Sequence, residues 1–174
     1  MLSRAFADDP AFAWIYSDPA DRARRLPRLF ALMIDSDAAA GLALATEAGE
    51  AATLWRAPGR AQVGWGEMLR RAWPLWRALG PNVRRALKVG DAIDAHLPAG
   101  NFWYLQIVGC DPAHQRRGLG SAAVRGGLER IEPGLPTYLE TARAENLPFY
   151  EGLGFRVTDE WRVPGGPRFW SMWR

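Results

Sequence analysis

The sequence predicts a single α/β domain, residues 1–174, in which helices pack on a sheet that carries antiparallel hairpins. Three observations predict it. An apolar strand, Phe102 to Cys110, runs through a basic glycine-containing loop into a run with helical spacing, Leu119 to Ile131. Pairs of short apolar runs meet at turn residues: Gly41–Thr46 with Ala51–Arg56 around Glu47-Ala48-Gly49-Glu50, and Phe155–Val163 with Arg168–Trp173 around Pro164-Gly165-Gly166-Pro167. Behind Asp18-Pro19, an N-cap followed by proline, Leu26, Leu29, Phe30 and Met33 fall on one helical face. A chain of 174 residues can bury a core of its own.

The remaining elements follow in order. Asp8-Asp9-Pro10 is a first helix start, and Asp18-Pro19 opens a longer helix from Pro19 to about Ile34, which Pro27 can kink. Pro58-Gly59 ends the second strand. Between Val63 and Leu97, the spacing of Met68, Leu69, Ala72, Trp73, Trp76 and Leu79, broken at Gly80-Pro81, predicts two helices. Gly109 within the Phe102–Cys110 strand marks either a bulge or close backbone approach, or simply the strand end before Asp111-Pro112. Thr137–Thr141 reads as a strand. Asn146 caps a short helix with Pro148 in its first turn, stopped by Gly152 and Gly154.

Composition narrows the function classes. The net charge is +3, with acids and bases mixed along the chain, which lacks the clustered Lys/Arg of a nucleic-acid footprint. One cysteine, Cys110, permits no internal disulfide, so a cytoplasmic setting is expected. With His96 and His114 as the only histidines, no metal site is expected. No basic-then-apolar leader and no membrane-length apolar run is present, so neither a signal peptide nor a membrane partner is expected.

The chemistry concentrates in Asp111-Pro112-Ala113-His114-Gln115-Arg116-Arg117-Gly118-Leu119-Gly120-Ser121. Glycines let backbone N–H groups approach a phosphate, and the following helix N-terminus adds partial positive charge. A P-loop is excluded, because no Lys-Ser or Lys-Thr follows a glycine here. Gly118-Leu119-Gly120-Ser121-Ala122-Ala123 does fit the dinucleotide pattern G-x-G-x-x-A, with Glu140 at the distance of a ribose partner. Against it, a longer loop with Asp111-Pro112 and two arginines separates the glycines from the strand, and too little chain follows for a large doubly wound sheet. A plain βα turn needs the glycines but not the Gln115-Arg116-Arg117 beside them.

Gln115-x-x-Gly118-x-Gly120 after an Asp-Pro strand end, followed downstream by Asn146-Leu147-Pro148-Phe149-Tyr150-Glu151-Gly152-Leu153-Gly154-Phe155, resembles the acyl-CoA-binding motifs of the GCN5-related N-acetyltransferases. The resemblance covers the C-terminal two-fifths well and is thin across the middle. It implies a mixed, mostly antiparallel twisted sheet, splayed between its fourth and fifth strands and flanked by helices. It also implies a strand before the first helix. This sequence starts inside that helix, so that strand is expected to be missing. Gly41–Thr46 would then be an edge open to pairing in a homodimer. The activity implied is transfer of an acetyl group from acetyl-CoA to an amine, with a small-molecule amine as partner. A protein N-terminus or lysine as acceptor, or CoA binding without catalysis, are the alternatives.

The resemblance also implies a bulge at Gly109 and an acyl arm bonded by N–H groups of Val108, Gly109 and Cys110. The pyrophosphate would meet Gln115, Arg116, Arg117, Gly118, Leu119, Gly120 and Ser121, with Asn146 and Tyr150 facing the cofactor from one helical face. The Cys110 N–H is expected to polarise the carbonyl. Its side chain is expected to be a structural thiol, since no histidine is placed beside it. Tyr150 is the candidate acid for the departing thiolate, the alternative being that it simply packs. Glu140 is the candidate base, against a solvated strand end, with Tyr104 a further candidate. Of nine tryptophans most are expected to fill cores. Trp14, Tyr16, Trp65, Trp73, Trp76 and Trp103 fall in segments that could wall an acceptor pocket, and Trp14, Tyr16, Trp65 and Trp103, with Glu140, are the candidate acceptor residues. The inserted helices are expected to set acceptor choice.

Overall fold

Aspartate followed by proline starts the first two capped helices. In the computed structural model, which describes residues 1–174 except for the side chain of Trp65, Asp9 caps α2 (Pro10–Ile15) by accepting from the Ala11 and Phe12 N–H groups. Asp18 caps α3 (Pro19–Ala40) by accepting from Asp21 N–H. A one-turn helix, α1 (Leu2–Ala5), precedes both. Helix α3 runs past the expected Ile34 to Ala40 and keeps Pro27 inside it, because its last turns are held by tertiary contacts: Ser36, Asp37 and Ala40 are buried.

The hairpin β1 (Gly41–Ala45) and β2 (Ala51–Arg56) forms as expected. The insertion holds three helices rather than two: α4 (Trp65–Arg70), α5 (Ala72–Leu79) and α6 (Val83–His96). The break at Arg71 has a local cause. Pro74 lacks the N–H that a continuous helix would bond to the Arg70 carbonyl, so the helix restarts at Ala72. The chain then forms β3 (Trp103–Cys110), α7 (Leu119–Leu128), β4 (Thr137–Thr141), α8 (Leu147–Glu151), β5 (Arg156–Arg162) and β6 (Arg168–Trp173).

The six strands lie in the order β1-β2-β3-β4-β6-β5, leaving β1 and β5 at the edges. Every pairing is antiparallel except β3 with β4. That parallel pair is in register only at Trp103–Thr137 and Tyr104–Tyr138 and then parts, so the sheet opens between β3 and β4 along the rest of β3.

The bulge in β3 is not at Gly109, which corrects the expectation. Gly109 is in register with Ala52, whereas Trp55 faces Leu105 and Leu54 faces Ile107, so the extra residue is Gln106. Gly109 serves close approach instead: a Cβ there would lie 2.4 Å from Leu2 Cδ2 of α1. The bulge reverses the side-chain alternation of β3. Leu105, with Trp103 and Val108, packs on the α7 side with Trp55, Val124 and Met172. Ile107 joins Leu2, Ile15, Leu26 and Phe30 beneath the N-terminal helices.

Helix α7 sits close on the sheet because Gly127 meets the Trp55 indole: a Cβ would lie 2.3 Å from the ring, and Trp55 is fully buried. Gly127→Ala is therefore expected to cost about 1–3 kcal/mol through overpacking, read as a lower urea midpoint at unchanged slope.

Candidate active site

The parted strands frame a cleft of about 470 Å³, lined by the end of β3, the loop after it, α8 and the N-terminal helices. The loop is pinned at its entrance. Asp111 accepts from Ala113 N–H at 3.1 Å and from Arg4 Nε at 3.1 Å, and its own N–H donates to the Glu50 carbonyl at 2.7 Å. Gln115 Nε2 donates to the Cys110 carbonyl at 3.3 Å, tying the loop back to the strand. Arg116 at φ 62° and Gly118 at φ 79° both adopt the left-handed region. For arginine that conformation is uncommon, and it turns the chain so that α7 begins facing the cleft.

The first bond within α7's turn runs from Ala122 N–H to the Gly118 carbonyl. The N–H groups of Leu119, Gly120 and Ser121 therefore have no intrahelical acceptor, and these residues line the cleft. A Cβ on Gly118 would meet nothing within 4 Å, so the loop leaves open space where an anion can approach the backbone. The donor set and open space fit the pyrophosphate of a nucleotide-type cofactor. Arg116 and Arg143 line the cleft, whereas Arg117 is exposed and does not.

Val108, Gly109, Cys110, Gln115, Arg116, Gly118, Leu119, Gly120, Ser121, Asn146 and Tyr150 thus gather on one wall system. The Cys110 thiol is half-buried, and burial, followed by the charges of Asp111 and Glu50, pushes its pKa up, which keeps it protonated near neutrality. Asn146 occupies the N-cap position of α8 without capping it. Its Nδ2 donates instead to Thr141 Oγ1 at 3.3 Å, linking α8 to β4, because a 3₁₀ turn over Ala144–Asn146 feeds the helix. Tyr150 is buried on the cleft wall, and burial, with a smaller contribution from Asp9, holds its hydroxyl protonated well above the usual range.

A smaller inner cavity of about 140 Å³ adjoins the cleft, with Phe6, Asp9, Val108, Asn146 and Tyr150 common to both walls. Glu140 and Tyr104 line this inner space. The Tyr104 hydroxyl donates to Glu140 Oε2 at 2.7 Å. Glu140 Oε1 is buried without a partner among the described residues. Burial pushes the Glu140 carboxyl up to about 7, against the opposing hydrogen bond from Tyr104.

The aromatic residues fall elsewhere. Tyr16 is in the core, fully buried, with its hydroxyl donating to the Ala78 carbonyl at 3.2 Å. Trp14 lines a separate surface depression with Arg84 and Lys88, and its indole N–H donates to the Gly165 carbonyl at 3.0 Å. Trp103 points to the α7 side of the sheet, because it precedes the bulge at Gln106. None of the three lines the cleft or the inner cavity. The side chain of Trp65 lies outside the described residues. Trp73 and Trp76 stack on each other at 5.1 Å on α5. Conversely, Phe6, Asp9, Arg143 and Phe149 line the cleft without having been singled out for it. Asp9 was legible only as a helix cap, since nothing local tells a cap that α2 will be laid over the opening of the sheet.

Free helix-start amides beside an opened sheet, with a carboxylate lining an inner cavity, are an arrangement that suits a transferase with a phosphate-bearing co-substrate. The Acetyltransferase (GNAT) family matches residues 10–155, and the chain belongs to it. It is an N-acetyltransferase that uses acetyl-CoA. A histone acetyltransferase HPA2 and related acetyltransferase from Corynebacterium glutamicum is similar, at 27% identity and TM-score 0.71 over 99% of this chain and 85% of that one. Two others share the fold over 99% of this chain and 90% of theirs. They are arylalkylamine N-acetyltransferase 2 of Aedes aegypti, 13% identical with TM-score 0.59, and a polyamine N-acetyltransferase of Drosophila melanogaster, 14% identical with TM-score 0.53. No described helix is long and apolar enough to cross a membrane.

Proposed function

We propose that the chain acetylates a primary amine of a small molecule, with Glu140 taking the proton from the amine. The observation that carries this reading is the Glu140 carboxyl: it lines a cavity of about 140 Å³ that adjoins the cleft, one oxygen accepts from Tyr104, and the other is buried with no partner among the described residues. An ammonium has no lone pair, and a carboxyl at about 7 can accept its proton near neutral pH. Acetyl-CoA supplies the thioester carbonyl that the amine attacks.

The chain supplies the rest. N–H groups of the loop from Gln115 to Ser121 hold phosphates, and the free edge of β3 near Val108–Cys110 offers backbone donors to the acyl arm, with Cys110 N–H at the carbonyl. The N–C bond forms as the C–S bond breaks. Tyr150, buried on the cleft wall, then gives its proton to the thiolate and takes back the proton the nitrogen sheds on becoming an amide, so the phenol returns to the neutral form that its burial favours.

An inner cavity of about 140 Å³ suits a small amine better than a peptide. The C-terminal two-fifths also resembles puromycin N-acetyltransferase at Asp111–Gln115, Gly118–Ala122, Leu139–Thr141 and Asn146–Tyr150, which makes an aminonucleoside one amine to include. The test is thiol release from acetyl-CoA against a panel of amines, puromycin among them. Tyr150→Phe is expected to lower kcat by about 10²-fold or more at unchanged CoA affinity. Transfer to none of the amines, with CoA still bound, would leave a binding module.

A further inference from the structure

We propose that the acceptor amine is carried on an apolar body, which lies in a groove between α3, α4, α5 and α6 and passes the amine inward to Glu140. This rests on the amine-acetylating reading above and names the class of amine. The groove encloses about 520 Å³, within the range of small-molecule sites. Leu32, Met33, Met68, Leu75, Trp76 and Leu79 line it. Along its rim Leu69 is 74% exposed, Trp76 57% and Leu87 48%, an apolar concentration that solvent alone does not favour.

Two features select the occupant. The first is adjacency: Met33 and Gln106 line both this groove and the inner cavity that Glu140 also lines, so only their side chains part the two spaces. The bulge at Gln106 creates that junction by turning its side chain towards α3. With its nitrogen facing the carboxylate, the Gln106 amide donates to both Asp37 oxygens at 2.9 and 2.7 Å. The second is the distribution of polar groups. Asp37 and Arg56 pair at 3.0 Å on the groove floor, and Glu67 and Arg71 pair at 3.4 Å on its wall. The charged groups therefore satisfy one another, and the apolar stretch between them offers nothing to the amides of a peptide. An alkyl or aryl body with one amine at its tip fits both features.

The test is a homologous series of n-alkylamines, from ethylamine to nonylamine, with acetyl-CoA and the whole chain. The expected result is kcat/KM rising about fourfold per added methylene, mainly through KM. Trp76→Ala, at an exposed position that should not disturb folding, is expected to lower kcat/KM for nonylamine about tenfold and leave ethylamine unchanged. A flat series with measurable turnover overturns the groove as acceptor site while acetylation stands. If no amine is acetylated, calorimetric titration with nonylamine and ethylamine decides: tighter nonylamine binding that Trp76→Ala weakens supports the groove, and equal binding overturns it. A concentration-dependent dimer in sedimentation that Leu69→Glu dissociates would assign the groove to a second copy and also overturn the proposal.

Discussion

Glu140→Gln is expected to lower kcat/KM for amine acetylation by about 10²–10⁴-fold while acetyl-CoA affinity is unchanged. Glutamine keeps the size and can still accept from Tyr104, but it cannot take a proton. The pH profile gives an independent readout. With the carboxyl raised to about 7, the basic form prevails above that pH, so wild-type kcat/KM should rise as pH passes upward through about 7. The variant should lack this limb and keep only the rise that belongs to the amine itself. Stability should respond in the opposite sense. Between the usual 4.5 and about 7 the folded chain holds a proton on Glu140 that the unfolded chain has lost, so this residue's contribution to folding falls as pH rises across that window. The difference in unfolding free energy between wild type and variant, from urea curves at several pH values, should shrink or reverse over the same range.

Asp37→Ala is expected to destabilise the fold by about 3–5 kcal/mol, because it leaves a buried guanidinium without its counter-charge. Asp37 and Arg56 side chains are 1% and 3% exposed and meet at 3.0 Å. Burial pushes the Asp37 carboxyl up to about 7, with Arg56 opposing, so the pair is held by its geometry against the cost of leaving water. Asp37→Ala combined with Arg56→Met should recover much of the loss, since removing both charges removes the orphan. Urea unfolding of the two single variants and the double variant measures the coupling.

Much of the cofactor side was legible because its signals are local. Asp111-Pro112 caps a turn, Gly118 takes a left-handed conformation that few residues accept, and the free amides of Leu119 to Ser121 follow from where α7 starts. Hairpins and helix starts were legible for the same reason, down to the bounds of the Ala51–Arg56 strand. The position of the bulge was not. Glycine is the usual mark of irregular strand geometry, yet the extra residue is Gln106, selected by buried partners on α3 that lie far away in sequence. Composition did not place the aromatic residues: Trp14, Tyr16 and Trp103 line neither the cleft nor the inner cavity, because which face each occupies is set by packing and by the reversed alternation of β3.

By itself the sequence determined the strand–loop–helix that opens on the cleft, the order of elements and the family to which they belong, because dihedral preference, capping and hydrophobic period act within a few residues. Only the tertiary structure decided that Glu140 lines a cavity with one oxygen unpartnered among the described residues, that α3 extends to bring Asp37 to Arg56, and that the inserted helices line an apolar groove beside that cavity. Burial and the pairing of charges across the chain are properties of the assembled fold, and they set both the proton affinity of Glu140 and the lining of the groove.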